Sequence, residues 1–114
     1  MIVVIFEAFP NAGKRESYFD FAKLLRPALE KIDGFISIER FQSVANEEKV
    51  LSLSFWRDEE SVREWRNLEV HRMAQQEGRN SIFLNYRLRV AHVVRDYSLN
   101  DRMEAPNDSK QIHQ

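Results

Sequence analysis

The chain has 114 residues, 43% of them hydrophobic and 31% charged, with a formal net charge of −1 and no cysteine. That is one domain's worth of sequence, long enough to bury a core of its own. The balanced charge leaves no electrostatic footprint for nucleic acid or an anionic membrane, and a chain without cysteine makes no disulfide, thiolate nucleophile or Cys-ligated zinc or iron–sulfur site.

The first element is IVVIFEAF, residues 2 to 9, β-branched and aromatic on both faces, which predicts a central strand. The opening MIVVIF runs into Glu7 with no basic region before it. It is too short for a secretory hydrophobic core or a bilayer span, so the expected location is the cytoplasm. PNAG at 10 to 13 is turn chemistry. From about Lys14 the period becomes helical, with Tyr18, Phe21, Ala22, Leu25, Ala28, Leu29 and Ile32 on one stripe. Pro27 inside that run should kink the helix or restart its last turns, and Gly34 is placed to end it.

FISIERFQ (35 to 42) and KVLSLSFW (49 to 56) alternate in the manner of strands and predict a hairpin around the polar turn VANEE. In the first strand Phe35, Ser37, Glu39 and Phe41 share one face, against Ile36, Ile38 and Arg40. In the second, Leu51, Leu53 and Phe55 oppose Val50, Ser52, Ser54 and Trp56. Asp58 has the features of an N-cap, with Glu59 and Glu60 favourable for the helix dipole. The helix that follows reads as two pieces. Val62 and Trp65 form the inner stripe of the first, Asn67 caps the second, and Val70, Met73, Ala74 and Glu77 continue it towards Gly78. A last strand over about 82 to 96 alternates Leu84, Tyr86, Leu88, Val90, His92 and Val94 against Asn85, Arg87, Arg89 and Ala91.

The order βαββαβ with short connections predicts a ferredoxin-like α+β domain over residues 1–97, a four-stranded antiparallel sheet with helices on one face. Apolar residues on the other face as well call for a second sheet, and a sheet-to-sheet homodimer supplies it. Residues 98–114 are polar and aperiodic, a mobile tail or an arm laid over the partner.

Phosphate-cradling glycine motifs and the GxSxG nucleophile elbow are missing from the sequence. The three histidines, His71, His92 and His113, lie on different elements without metal-ligand spacing. Spacing alone makes Trp65 a core aromatic and leaves His71 roughly 100° from Val70, on the stripe's flank, facing a cleft or water. Glu39 and Arg40 fit a cross-strand ion pair; Arg87 and Arg89 could orient an anionic substrate, with pairing to Glu7 or Glu39 across the sheet or the dimer the plainer account.

Three segments carry a more specific signal: GFISIERFQS (34 to 43), LSLSFWRDEESVREWRNLEVHRMAQQEGR (51 to 79) and FLNYRLRVAHVVRDY (83 to 97). Their Gly-Phe-x-Ser-x-Glu start, the Phe-Trp-x-Asp-Glu-Glu strand end and the six-residue step from Trp65 to His71 resemble the antibiotic biosynthesis monooxygenase domain family. The resemblance implies a ferredoxin-like fold that dimerises through its sheets, with a pocket between the helices and the sheet. It also implies oxidation of phenols or hydroquinones by O₂, with no cofactor and no metal. An electron-rich phenolate can itself reduce O₂, and the protein supplies a dry cavity and hydrogen-bond donors. Carried onto this chain, Trp65 is a pocket donor and His71 a proton shuttle, the two catalytic candidates. Asn67, Tyr86, Trp56 and Phe41 are the candidates for substrate contact. A haem-degrading branch of the family has its axial histidine about ten residues beyond the tryptophan, where this chain has Gln75, and an asparagine in the first strand, which this chain lacks. A small-ligand-binding dimer without oxidative chemistry is the alternative to the enzyme.

Overall fold

The structure, a computed structural model, describes residues 1–76 and 83–112, with side chains described over 1–69 and 83–109. Its elements run β1 (Ile2–Pro10), α1 (Arg15–Glu30), β2 (Phe35–Gln42), β3 (Val50–Trp56), α2 (Glu59–Gln76), β4 (Phe83–His92) and α3 (Asn107–Ile112). The four strands form one sheet in the order β2-β3-β1-β4 with antiparallel neighbours throughout, the ferredoxin-like α+β arrangement. β1 is an inner strand, which is why its sequence is apolar on both faces.

Register divides the sheet into two faces. Val4 lies opposite Ser54 on one side and Val90 on the other, so Ile2, Val4, Phe6 and Ala8 share a face with Val50, Ser52, Ser54 and Trp56, and with Tyr86, Leu88 and Val90. The helices pack on this face. Leu29 of α1 and Val62 of α2 join Ile2, Val4, Ile38 and Trp56 in one buried cluster, with Ile32, Phe35 and Trp65 packed against it. A second cluster joins Tyr18 and Val50 to Phe6, Phe19 and Phe83. Each fully buried side chain of this size contributes about 1.5–3 kcal/mol.

The opposite face carries Val3, Ile5 and Phe9 of β1 beside Leu51, Leu53 and Phe55 of β3, with Phe41 on β2 across from Leu51. Glu7 is the one carboxylate in β1, and it is held by Lys49 at 2.8 Å and Arg89 at 2.9 Å. Those two cations hold its carboxyl below the usual carboxylate range, the Lys49 hydrogen bond above all. The pairing of Arg89 with Glu7 is the one the sequence suggested.

Two local details differ from expectation. α2 is one continuous helix through Asn67, because an exposed Asn costs a helix at most about 0.7 kcal/mol relative to Ala and cannot break it unaided. In β2 the register shifts between Phe35 and Ser37. The bulge turns Phe35 to the helix side, where its ring meets Trp56 edge-on at 5.4 Å, rather than sharing a face with Ser37, Glu39 and Phe41. α1 runs on through Pro27 to Glu30, closing with Lys31 N–H to Ala28 O and Ile32 N–H to Leu29 O.

The junction of β2 with α2 is tightly tied. Gly34 has φ +99°, and a Cβ there would run into the Ser61 side chain. Ser61 Oγ donates to Asp33 O at 2.9 Å and to Asp58 Oδ1 at 2.7 Å, while its N–H donates to Asp58 Oδ1, the expected cap. Beyond β4, Val93 N–H reaches Met1 O, and the aperiodic tail folds on itself. Arg102 lies 5.1 Å over the Tyr97 ring and donates to Ser109 O, and Ala105 is buried. Among the described residues no helix is long and apolar enough to cross a membrane. Glu77, Gly78 and His113 lie outside the described residues.

Candidate functional site

Between the two helices and the sheet lies a cavity of about 110 Å³. That is well above the ~10–15 Å³ at which a cavity admits a single water, so it has room for more than one. Val4 and Phe6 of β1, Phe21 and Leu25 of α1, and Leu88 and Val90 of β4 form its apolar wall. The polar groups on the wall are Tyr18, Arg40, Ser52, Ser54, Arg66 and Glu69, with Trp65 between them.

Three of these converge from three elements. Tyr18 comes from the buried stripe of α1, its ring wedged against Phe19 at 5.4 Å and Phe83 at 5.3 Å. Arg40 comes from β2, opposite Ser52, and its Nε donates to the Tyr18 hydroxyl at 3.3 Å. Glu69 comes from α2, on the inward stripe set by Val62 and Trp65 at steps of three and four. Burial pushes the Tyr18 phenol above its usual range, and Arg40 partly opposes the shift. Burial likewise holds the Glu69 carboxyl above the usual carboxylate range, again opposed by Arg40. The set can bind and orient an acidic group.

Of the residues the sequence nominated, Trp65 lies on the cavity wall, half-buried and stacked on Trp56 at 6.5 Å. Trp56 is fully buried beneath it, its Nε1 donating to Ser54 Oγ at 2.9 Å, and it does not line the cavity. Tyr86 stands on the same sheet face, 58% exposed, with its ring 5.5 Å from Phe6. Phe41 is on the opposite face of the sheet, as strand alternation requires, and Asn67 is exposed on α2 away from the wall. His71 belongs to α2, and its side chain is outside the described residues. Among the described residues no cluster of His, Asp and Glu could hold a metal ion.

Sequence reasoning passed over Tyr18, Arg40 and Glu69. Tyr18 read as core. Arg40 read as half of an ion pair with its neighbour's strand, yet among the described residues no carboxylate lies within 4.0 Å of it. Glu69 was hidden by the supposed break at Asn67. With α2 continuous, a carboxylate four residues after Trp65 falls on the inner stripe, and that was the available signal.

A family model described as antibiotic biosynthesis monooxygenase matches residues 1–77. This chain belongs to that family. The jasmonate monooxygenase ABM of Pyricularia oryzae is 44% identical over 101 residues, covering 89% of this chain and 47% of that protein. The chain therefore spans about half the length of the curated relative it matches. Among solved structures, the Mycobacterium tuberculosis protein Rv0793 superposes with a TM-score of 0.71 at 15% identity, over 85% of this chain and 98% of that one. The heme-degrader MhuD of Mycobacterium tuberculosis, with two hemes in its active site, superposes with a TM-score of 0.67 at 20% identity, over 86% and 100%. At those identities the two solved structures establish the fold alone.

Proposed function

We propose that the chain is a monooxygenase that oxidises an electron-rich hydroxyarene with O₂, without a cofactor, in the cavity between the helices and the sheet, working as a sheet-to-sheet homodimer in the cytoplasm. The observation that carries the reading is an apolar cavity whose wall holds Trp65 beside a few converging polar groups, in a chain of this family. A phenolate bound there can deliver electrons to O₂ directly. Converting a ring C–H of a phenol to a quinone carbonyl supplies all four electrons that reduce O₂, one oxygen entering the product and the other leaving as water. Trp65 offers its indole N–H to developing negative charge on oxygen, and His71 relays the phenol proton. Tyr86, beside Phe6 on the same sheet face, is a further substrate contact, and Trp56 backs Trp65.

The activity named for the Pyricularia oryzae relative brings jasmonate into the same trial. An alicyclic acid of that kind does not hold the electrons for both oxygen atoms, so its hydroxylation needs an external two-electron reductant.

The test is oxygen uptake by the metal-stripped protein with a panel of hydroquinones and fused-ring phenols, and with jasmonate plus a reductant. The His71→Ala variant runs alongside. Protein-dependent uptake that falls in the variant supports the reading. No uptake across the panel from a folded protein leaves a small-ligand-binding dimer, and a Soret band formed with hemin, followed by its bleaching, replaces the reading with haem degradation.

A further inference from the structure

Several arginines have a carboxylate of their own: Arg89 on β4 has Glu7, Arg57 just after β3 has Asp33 and Asp58, and Arg26 on α1 has Glu30. Arg40 differs. It sits half-buried on the cavity wall, its guanidinium 5.9 Å over the Tyr18 ring and its Nε engaged by the Tyr18 hydroxyl. Among the described residues its two terminal nitrogens have no acceptor within hydrogen-bond distance and no carboxylate within 4.0 Å. A cation against an apolar wall without a close counter-ion is unfavourable unless something arriving in the cavity supplies the charge.

The fixed end of Arg40 makes it a fork rather than a loose charge. With Nε anchored on Tyr18, the plane of the guanidinium is set by α1, and the free edge presents two parallel N–H donors. That edge matches the two oxygens of a carboxylate, which a point charge such as Lys does not. Glu69 on α2 lines the same cavity, yet its carboxyl is not within 4.0 Å of the Arg40 guanidinium and does not occupy the fork.

We propose that Arg40 is the anchor of this site for an organic carboxylate, so that its substrates are acids whose apolar body lies along Phe6, Leu25 and Leu88 while the carboxylate takes the free edge of Arg40. The proposal rests on the reading that this cavity is the substrate site, and it adds a substrate class and a specificity-determining residue.

The experiment is calorimetric titration of the whole protein, under anaerobic conditions, with 2-naphthoate and 1-hydroxy-2-naphthoate and with the methyl ester of each. The expected result is that each acid binds at least about tenfold more tightly than its ester, the size of one or two charge-assisted hydrogen bonds. Arg40→Met removes that preference while leaving the affinity for the esters in place, which also shows that the variant is folded. Arg40→Lys keeps the charge without the fork and holds only part of the preference. Esters binding as well as acids, neither class binding, or Arg40→Met weakening both classes alike overturns the proposal. Because no oxidation is read, the two ideas separate. Acids that bind through Arg40 without consuming O₂ defeat the oxidative reading alone, and oxidation of neutral phenols with no acid preference defeats the anchor alone.

Discussion

Trp65 holds two positions at once. Its ring stacks on the fully buried Trp56 and also walls the cavity, so its packing and its indole N–H can be separated by one substitution. Trp65→Phe retains most of the ring and should keep the fold while slowing any oxidation by about tenfold or more, the usual loss on removing an oxyanion donor being ~10²–10³. Full turnover in the phenylalanine variant would make Trp65 a packing residue only. Glu69 makes a prediction about pH. Arg40 from β2 and Tyr18 from α1 interact with it electrostatically, and Arg66 of its own helix lines the same cavity. Its carboxyl is held above the usual range, so the associated stability is present at low pH and lost as pH rises through the folded value. Glu69→Gln should therefore be at least as stable as the wild type at neutral pH, measured by thermal unfolding. The same change should flatten the tightening of naphthoate binding expected on acidification; a destabilised variant with an unchanged pH profile contradicts this. None of these three polar residues was legible as a site, because a tyrosine on a helix stripe and an arginine in an alternating strand are each explained by packing or pairing when read one at a time.

At the scale of elements, periodicity carried the reading well. β1, α1, the hairpin and the Asp58 cap all follow from residue spacing, since alternation and the three- and four-residue step are direct consequences of backbone geometry. What spacing did not reveal was a choice between two nearly equal local energies: whether Asn67 ends a helix, and on which side of a bulge Phe35 falls. The junction at Gly34 should be the most sensitive point between elements. Gly34→Ala forces a side chain into a left-handed backbone and onto Ser61, and should cost about 2–3 kcal/mol in chemical denaturation. A loss near zero would mean that the β2–α2 junction is not rigid. Asp58 is held at about 2, first by the Ser61 hydroxyl and then by the Ser61 N–H and Arg57. A carboxyl held low stabilises the fold above the ordinary carboxylate range and loses that effect as pH falls to about 2. The stability gap between the wild type and Asp58→Ala should accordingly close in acid, and a gap that persists there removes the cap as its cause.

For the whole molecule, the sheet has a helix-covered face that holds the cavity and an opposite face built from Val3, Ile5, Leu51, Leu53 and Phe55. The apolar character of that second face was readable from the strands, and it is the basis for proposing a second copy of the chain against it. Leu53→Arg places a charge at its centre and should shift the protein from dimer to monomer in sedimentation velocity; a wild-type monomer contradicts the dimer. The family resemblance implied a pocket between helices and sheet, but its polar lining was not readable, because it forms only where α1, α2 and all four strands meet and its polar groups lie far apart in the chain.

The measurement that bears most directly on the account is oxidation of a hydroxynaphthoate by the metal-stripped protein under ¹⁸O₂, with the product read by mass spectrometry. The account predicts a quinone carrying one labelled oxygen, formed only with protein and without any added cofactor. A product with no label, or no product at all from the folded protein, contradicts it.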